Sequence, residues 1–230
     1  MSMHRLRLVL SRNGTKAGRA PGRWAAVLAA AAVMGGGLWL AVPAASAASQ
    51  DCGPPCATLS NQKFGSVDVM AVSGGTEAIG QAVILSAAAP SSTEDWVISD
   101  DGSVSDFFAA GLINATLDEH YGTDEAFEVQ YAPGGIGSGL CLGIASGPSQ
   151  STPVTLQPCG VTVNTVWIDD TADASGGYAV LVSGSDTKYP APYVLTANTV
   201  SGNFTTQALR TNRGADAGAQ RWQSISGVLP

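Results

Sequence analysis

The chain has 230 residues, with 28 Gly, 12 Pro and 11 Lys+Arg against 18 Asp+Glu. Residues 1–47 carry six of the basic residues and no acid; the rest carries five basic residues against all 18 acidic ones, a net charge of −13. That balance argues against nucleic acid, which needs clustered Lys and Arg, and against an anionic membrane surface. Few long charged side chains beside many Ala, Ser, Thr, Val and Gly fit an all-β domain better than helices.

The N-terminal segment reads as an export signal. Basic residues from Arg5 to Arg23 precede an apolar run over 25–42, and the small residues Ala45 and Ala47 place cleavage after Ala47. An uncleaved anchor is the alternative, and Gly35-Gly36-Gly37 interrupts it. The reading gives a signal peptide over 1–47, an N-terminal tail over 48–60, one domain over 61–226 and a short tail over 227–230. No later apolar run has that length. The exported chain is therefore expected to be extracellular, off the membrane and monomeric. Its four cysteines are an even number in an oxidising compartment. Of three connectivities, local pairing of Cys52 with Cys56 and of Cys141 with Cys159 is preferred. A single His and no CxxC after the signal argue against a structural metal, and no cofactor is expected.

Along the rest of the chain three tryptophans recur in similar settings: Asp95-Trp96-Val97-Ile98, Val166-Trp167-Ile168-Asp169 and Arg221-Trp222-Gln223-Ser224. Two alternating apolar segments precede each. The first set is Val67-Asp68-Val69, Leu142-Gly143-Ile144 and Leu195-Thr196-Ala197; the second ends at Leu85, Leu156 and Leu209. From Val67, Leu142 and Leu195 to the Trp is 29, 25 and 27 residues; from the three leucines of the second set it is 11, 11 and 13. Such intervals mark a repeated supersecondary unit of short period-2 strands. One unit has too few strands to bury its own Trp. Three units closed about a pseudo-threefold axis bury all three and remove exposed edges. The expected fold is a β-trefoil.

The middle segment, Ser138-Gly139-Leu140-Cys141-Leu142-Gly143 through Leu156-Gln157-Pro158-Cys159 to Val166-Trp167, resembles a ricin-type lectin repeat, and Gln220-Arg221-Trp222 matches its Gln-x-Trp signature. The chain is also similar to secreted actinobacterial proteins of ricin-like fold. The resemblance implies a Cys141–Cys159 bridge within the repeat. It also implies sugar pockets built from a carboxylate on the first apolar strand, a stacking ring and an amide just before the Trp. By position the carboxylate falls on Asp68, Gly143 and Thr196, so Asp68 is the candidate acceptor. Asn164 and Gln220 are the candidate amides, and Tyr121 or Tyr131 the candidate ring. Plainer roles exist for each: a strand-end Asp bonded to backbone, a turn Asn and a Gln bonded beneath the Trp.

The first repeat carries extra length: 46 residues separate Trp96 from Leu142, against 28 between Trp167 and Leu195. Asp100-Asp101-Gly102 reads as a turn. Ile113, Ala115 and Leu117 alternate with polar residues, as do Phe127, Val129 and Tyr131, which predicts an inserted β-hairpin over 113–131. Asp118, Glu119, Asp124 and Glu125 would lie at its tip, where Ca²⁺ is one conceivable occupant, but the spacing is not that of a calcium loop. His120 is an exposed loop residue in this reading. Nucleophile elbows, zinc-protease helices and phosphate-binding glycine loops are absent. The glycines from Gly134 to Gly139 lead into a strand. The expected function is a secreted, non-catalytic, carbohydrate-binding module. The alternative is a protein-interaction or inhibitor module that uses the acidic 113–131 segment.

Overall fold

Each tryptophan lies on the fourth strand of a four-stranded repeat. The computed structural model describes residues 56–89, 91–160, 162–170, 177–200, 203–204, 208–211 and 218–224. The first repeat holds β1 (Leu59–Asn61), β2 (Gly65–Val72), β3 (Val83–Ala87) and β4 (Trp96–Ser103). The second holds β5 (Glu125–Tyr131), β6 (Leu140–Ile144), β7 (Val154–Pro158) and β8 (Val166–Asp169). The third holds β9 (Ala179–Ser183) and β10 (Tyr193–Thr196), then a small ribbon of β11 (Thr199–Val200) and β12 (Asn203–Phe204), then β13 (Ala208–Thr211) and β14 (Arg221–Ser224).

The first and fourth strands form a ring, in which β1 pairs β14, β14 pairs β9, β9 pairs β8, β8 pairs β5 and β5 pairs β4. Ala57 closes it: its N–H donates to the Trp96 carbonyl at 2.7 Å and its carbonyl accepts from the Trp96 N–H at 3.1 Å. A closed ring leaves no unpaired edge. The inner strands make three hairpins, β2–β3, β6–β7 and β10–β13. This is the β-trefoil expected from the repeats.

The threefold relation is visible residue by residue. Trp96 lies opposite Ala57 and Tyr131, Trp167 opposite Phe127 and Ser183, and Trp222 opposite Ala179 and Asn61. Each indole N–H donates to the first strand of its own hairpin: to Met70 O at 3.1 Å, Leu142 O at 2.9 Å and Leu195 O at 3.0 Å. All three rings are fully buried in one cluster with Leu59, Leu85, Leu156 and Leu181. The bonds satisfy a donor that would otherwise cost about 1–3 kcal/mol when buried.

Four expectations need correction. Val67 is not the partner of Leu142 and Leu195; Met70 is, and Met70 pairs with Leu85 as Leu142 pairs with Leu156. Val67 is 71% exposed. Nor do residues 56–60 belong to a tail, because Ala57 and Leu59 are buried in the ring and its core. Further, the inserted segment is not a strand pair over 113–131. It contains α1 (Val104–Ala109) and α2 (Ala115–Tyr121), and the hairpin is made by β4 with β5. The Asp100-Asp101-Gly102 turn signal is overridden inside β4, with an irregularity between Ile98 and Asp100.

Local chemistry explains the helices. Ser103 and Asp106 form a reciprocal capping box at α1. The Asn114 side chain accepts from Thr116 N at 3.0 Å and Leu117 N at 3.2 Å at the start of α2. Leu117 and Tyr121 are four residues apart on α2 and share one helix face, and Ile113 lies just before the cap. That face is the one buried, in a second cluster with Val104, Phe107 and the outward residues Ala126, Val166, Ile168, Val180, Val182 and Val194. Among the described residues no helix is long and apolar enough to cross a membrane. The signal segment 1–47, its cleavage point, Cys52 and the tail 227–230 lie outside the described residues.

Candidate functional site

The corrected register moves the sugar-pocket positions. The residue following the indole's acceptor is Ala71, Gly143 and Thr196, so no carboxylate occupies it in any repeat. Asp68 lies three residues before Ala71, opposite Ala87 on the β2–β3 hairpin. At Gly143 a side chain has no room: a Cβ there would sit 2.9 Å from both the Asn164 carbonyl oxygen and Thr165 Cγ2. Asn164 lies in the 3₁₀ turn Val163–Thr165, with its backbone against Gly143. Gln220 is buried and donates to Thr196 Oγ1 at 3.2 Å. Asn61 spans the same turn, donating to the Ala219 and Arg221 carbonyls at 3.1 and 3.0 Å.

Buried carboxylates hold related loops in the other two repeats. Glu94 accepts from Ala89 N at 3.0 and 3.3 Å. In the middle repeat the corresponding donor is Gly160 N, four residues after Leu156 as Ala89 is four after Leu85. It reaches both Glu128 oxygens at 3.0 and 2.9 Å, and Thr165 Oγ1 also donates to that carboxylate. Asp95 accepts from Gly134 N at 2.9 Å. Much of the acidity of this region is thus used on backbone N–H groups. Beside Glu128 lies the Cys141–Cys159 disulfide, with S–S 2.08 Å and Cα–Cα 5.0 Å. Cys56 is buried and disulfide-bonded; Cys52, its expected partner, lies outside the described residues.

A different surface presents aromatic chemistry. The loop between β9 and β10 is organised by Asp186, whose buried carboxylate accepts from Thr187 N at 2.6 Å, Lys188 N at 3.0 Å and Tyr193 N. Asn114 of the insertion donates to the Asp186 carbonyl. This docks α2 onto the loop and brings two rings together. His120 and Tyr189 stack at 3.5 Å between centroids with 11° between planes, and Tyr121 meets Tyr189 edge-on at 6.0 Å. Tyr189 is 49% exposed and His120 is exposed, whereas Tyr121 is buried beneath them. Lys188, in the same loop, has its Nζ 3.0 Å from Tyr193 Oη and 4.3 Å from the ring centroid. That hydrogen bond raises the Lys188 pKa. Of the proposed sugar residues, only Tyr121 belongs to this cluster. Asp68, Asn164 and Gln220 lie on separate hairpins and turns. The signal for Tyr189 was the Tyr189-Pro190 pair in a loop rich in turn residues, and only the docking of α2 gives it a stacking partner.

The acids once expected at a hairpin tip are spread over several elements. Asp118 and Glu119 are on α2, Asp124 precedes β5 and Glu125 begins it. Ser105 Oγ donates to Asp118 Oδ1 at 2.6 Å. At the end of β8, Asp169 has its pKa pushed up to about 6 by burial and then by Glu125, Asp124 and Asp170. Its Oδ1 is buried without a hydrogen-bond partner. Glu125 is raised too, by burial first and Asp101 second. Among the described residues the one group of three metal-ligating side chains within reach of each other is Glu128, Cys141 and Cys159.

No protein-family model matches the chain, and no curated protein matches it. Solved structures do. A designed threefold-symmetric protein, ThreeFoil, is 14% identical with a TM-score of 0.51, covering 74% of this chain and 98% of that one. The Rhizoctonia solani agglutinin is 17% identical with a TM-score of 0.50, covering 74% and 94%. An exo-β-1,3-galactanase from Clostridium thermocellum is 14% identical with a TM-score of 0.50, but only 30% of that chain is covered. At such identities the likeness defines the fold, and this chain is a β-trefoil protein. Function lives in sites carried by a fold and not in the fold itself.

Proposed function

We propose that this protein is an extracellular, non-catalytic carbohydrate-recognition module whose ligand is met at the Tyr189–His120 platform instead of in the three repeat pockets. One observation carries the reading: an exposed aromatic pair sits on a loop folded around a buried Asp186 that accepts three backbone N–H groups. A pyranose offers an apolar face that packs on such a ring, and neighbouring His and Lys donors fix its hydroxyls. The trefoil likeness to an agglutinin supports the class. The signal-like pattern of the 1–47 sequence supports the location. The lack of a carboxylate at Ala71, Gly143 and Thr196 favours this platform over the repeat positions.

A single shallow platform binds in the millimolar to high-micromolar range, about −4 to −6 kcal/mol. The test is a glycan array with polysaccharide pull-down on the purified protein and on Tyr189→Ala. Retention on at least one glycan class, lost in the variant, is expected. Absence of retention on every glycan would overturn the lectin reading; equal retention by both proteins would overturn the site.

A second reading rests on a cleft of the insertion lined by Asp101, Asp106, Phe107, Ala110 and Leu112. Its carboxylates and apolar wall suit the stem and charge of a Lys or Arg side chain on a protein partner. The Asp106 pKa is lowered by hydrogen bonds from Ser103, which keeps it ionised. Partner capture that survives Asp101→Asn would sink this version.

A further inference from the structure

We infer that reducing the Cys141–Cys159 bridge converts this corner of the middle repeat into a divalent-metal site, held by the Glu128 carboxylate and the two thiolates. The inference is independent of any sugar binding.

The three groups are peculiar to one repeat. Cross-strand register makes Thr58 and Val180 the equivalents of Glu128, and Val69 and Val194 the equivalents of Cys141. A buried carboxylate therefore occurs on this strand position only where the disulfide also occurs. One Glu128 oxygen and both sulfurs lie within 4.8 Å of one another. Zinc-type ions bind thiolate at about 2.3 Å and carboxylate at about 2.0–2.2 Å, so tetrahedral ligands sit about 3.5–3.8 Å apart. The carboxylate, within 4.8 Å of both sulfurs, needs to close by about 1 Å at most. Once the bridge is reduced, side-chain rotation about Cα–Cβ separates the two sulfurs.

The backbone holds the ligands in place without the S–S bond. Five cross-strand pairs from Leu140–Pro158 to Ile144–Val154 tie β6 to β7. Cys141 also pairs with Gln130 on β5, and Cys159 N donates to Gly139 O at 3.1 Å. Glu128 is fixed by Gly160 N and Thr165 Oγ1. Such outer hydrogen bonds orient a ligating carboxylate and typically change metal affinity 10–100-fold when removed. Because Gly160 follows Cys159 directly, the same peptide joins carboxylate to sulfur. Glu128 and Cys141 are buried, while Cys159 is partly exposed and Gly160 exposed, so an ion has access from one side.

The chemistry balances in two steps. A dithiol reductant gives two electrons and two protons to the S–S bond and leaves as its own disulfide, producing two thiols. The ion then displaces both thiol protons to solvent and takes two sulfurs, one carboxylate oxygen and a water. In the oxidised protein the sulfur lone pairs belong to a neutral disulfide and the site is closed.

The experiment is a Co²⁺ titration of the purified protein before and after treatment with a phosphine reductant, which supplies the same electrons without offering a competing thiol. One Co²⁺ per chain with near-ultraviolet thiolate-to-cobalt absorption is expected after reduction, and none before. Glu128→Gln should weaken binding at least tenfold. Cys159→Ser should abolish the absorption. Thr165→Val leaves all three ligands in place and should weaken binding by a smaller factor, so it reports on the site even if Glu128→Gln folds poorly. Equal affinity in the Glu128 and Thr165 variants would reduce the site to a bare dithiol and overturn the inference. So would reduced protein that keeps its native near-ultraviolet dichroism but takes no cobalt, or that loses its tertiary structure on reduction.

Discussion

The barrel interior and the inserted helices solve the same burial problem with different symmetry. Inside the ring, three indoles take equivalent places, and each hands its N–H to an equivalent carbonyl. Outside it, α1 and α2 cover one flank alone, where Val166, Ile168, Val180, Val182 and Val194 face outward. The consequence is that β9 is buried on both faces. A strand of that kind shows a continuous apolar run and no alternation, and Ala179-Val180-Leu181-Val182 is such a run. The covered flank is also where function is read here, because α2 supplies His120 to the Tyr189 loop.

The contrast can be broken at its strongest point first. Trp167→Ala removes a fully buried ring and strands the Leu142 carbonyl. It should cost about 3–5 kcal/mol in urea denaturation and unfold barrel and insertion together. Leu117→Ala empties the centre of the outer cluster. Its cost should be about 2–3 kcal/mol, toward the low end for a buried leucine because a surface layer can collapse. Near-ultraviolet signals of the three indoles should persist while amide exchange in α2 rises. Equal loss of both signals would show that the insertion and the barrel are one cooperative unit.

The smallest expected effect sharpens the boundary between the two regions. Asp169 has a folded pKa of about 6, above its ordinary 3.8. A raised carboxyl favours the folded state in its protonated form. That contribution is complete below pH about 4 and is lost as pH climbs through about 6. Asp169→Asn should therefore stabilise the protein at pH 7 by about 1 kcal/mol, after allowing for solvent screening of a partly exposed group. The gain should vanish by pH 4, as measured by melting temperature across that range.

How much was legible depended on whether a residue announced its own phase. The tryptophans did, and so did Leu85, Leu156 and Leu209, whose register in all three hairpins matches their sequence intervals. Around Asp68 the run Val67-Asp68-Val69-Met70-Ala71-Val72 is apolar at almost every position. Period-2 reasoning has no phase to choose there, and a three-residue slip moves a side chain to the other face. That slip is what made Asp68 look like a pocket carboxylate. The insertion was misread for a related reason: Ile113, Ala115 and Leu117 satisfy a strand period, while Ile113, Leu117 and Tyr121 satisfy a helix period. Asn114 and the Ser103-x-x-Asp106 box were the local signals that separated them.

Sequence alone determined the threefold repetition, the closed all-β fold and the three-indole interior, while the Cys141–Cys159 pairing, one of three connectivities there, is fixed by the structure. The first three follow from spacing along the chain, which survives whatever the loops do. Only the tertiary structure decided which residues meet across repeats: His120 of the first with Tyr189 of the third, and Glu128 with the disulfide and Thr165. Those meetings depend on how α2 docks and on strand order around the ring. Neither is a property of any local stretch, since contacts between residues far apart in the chain are set by the joint packing of all three repeats.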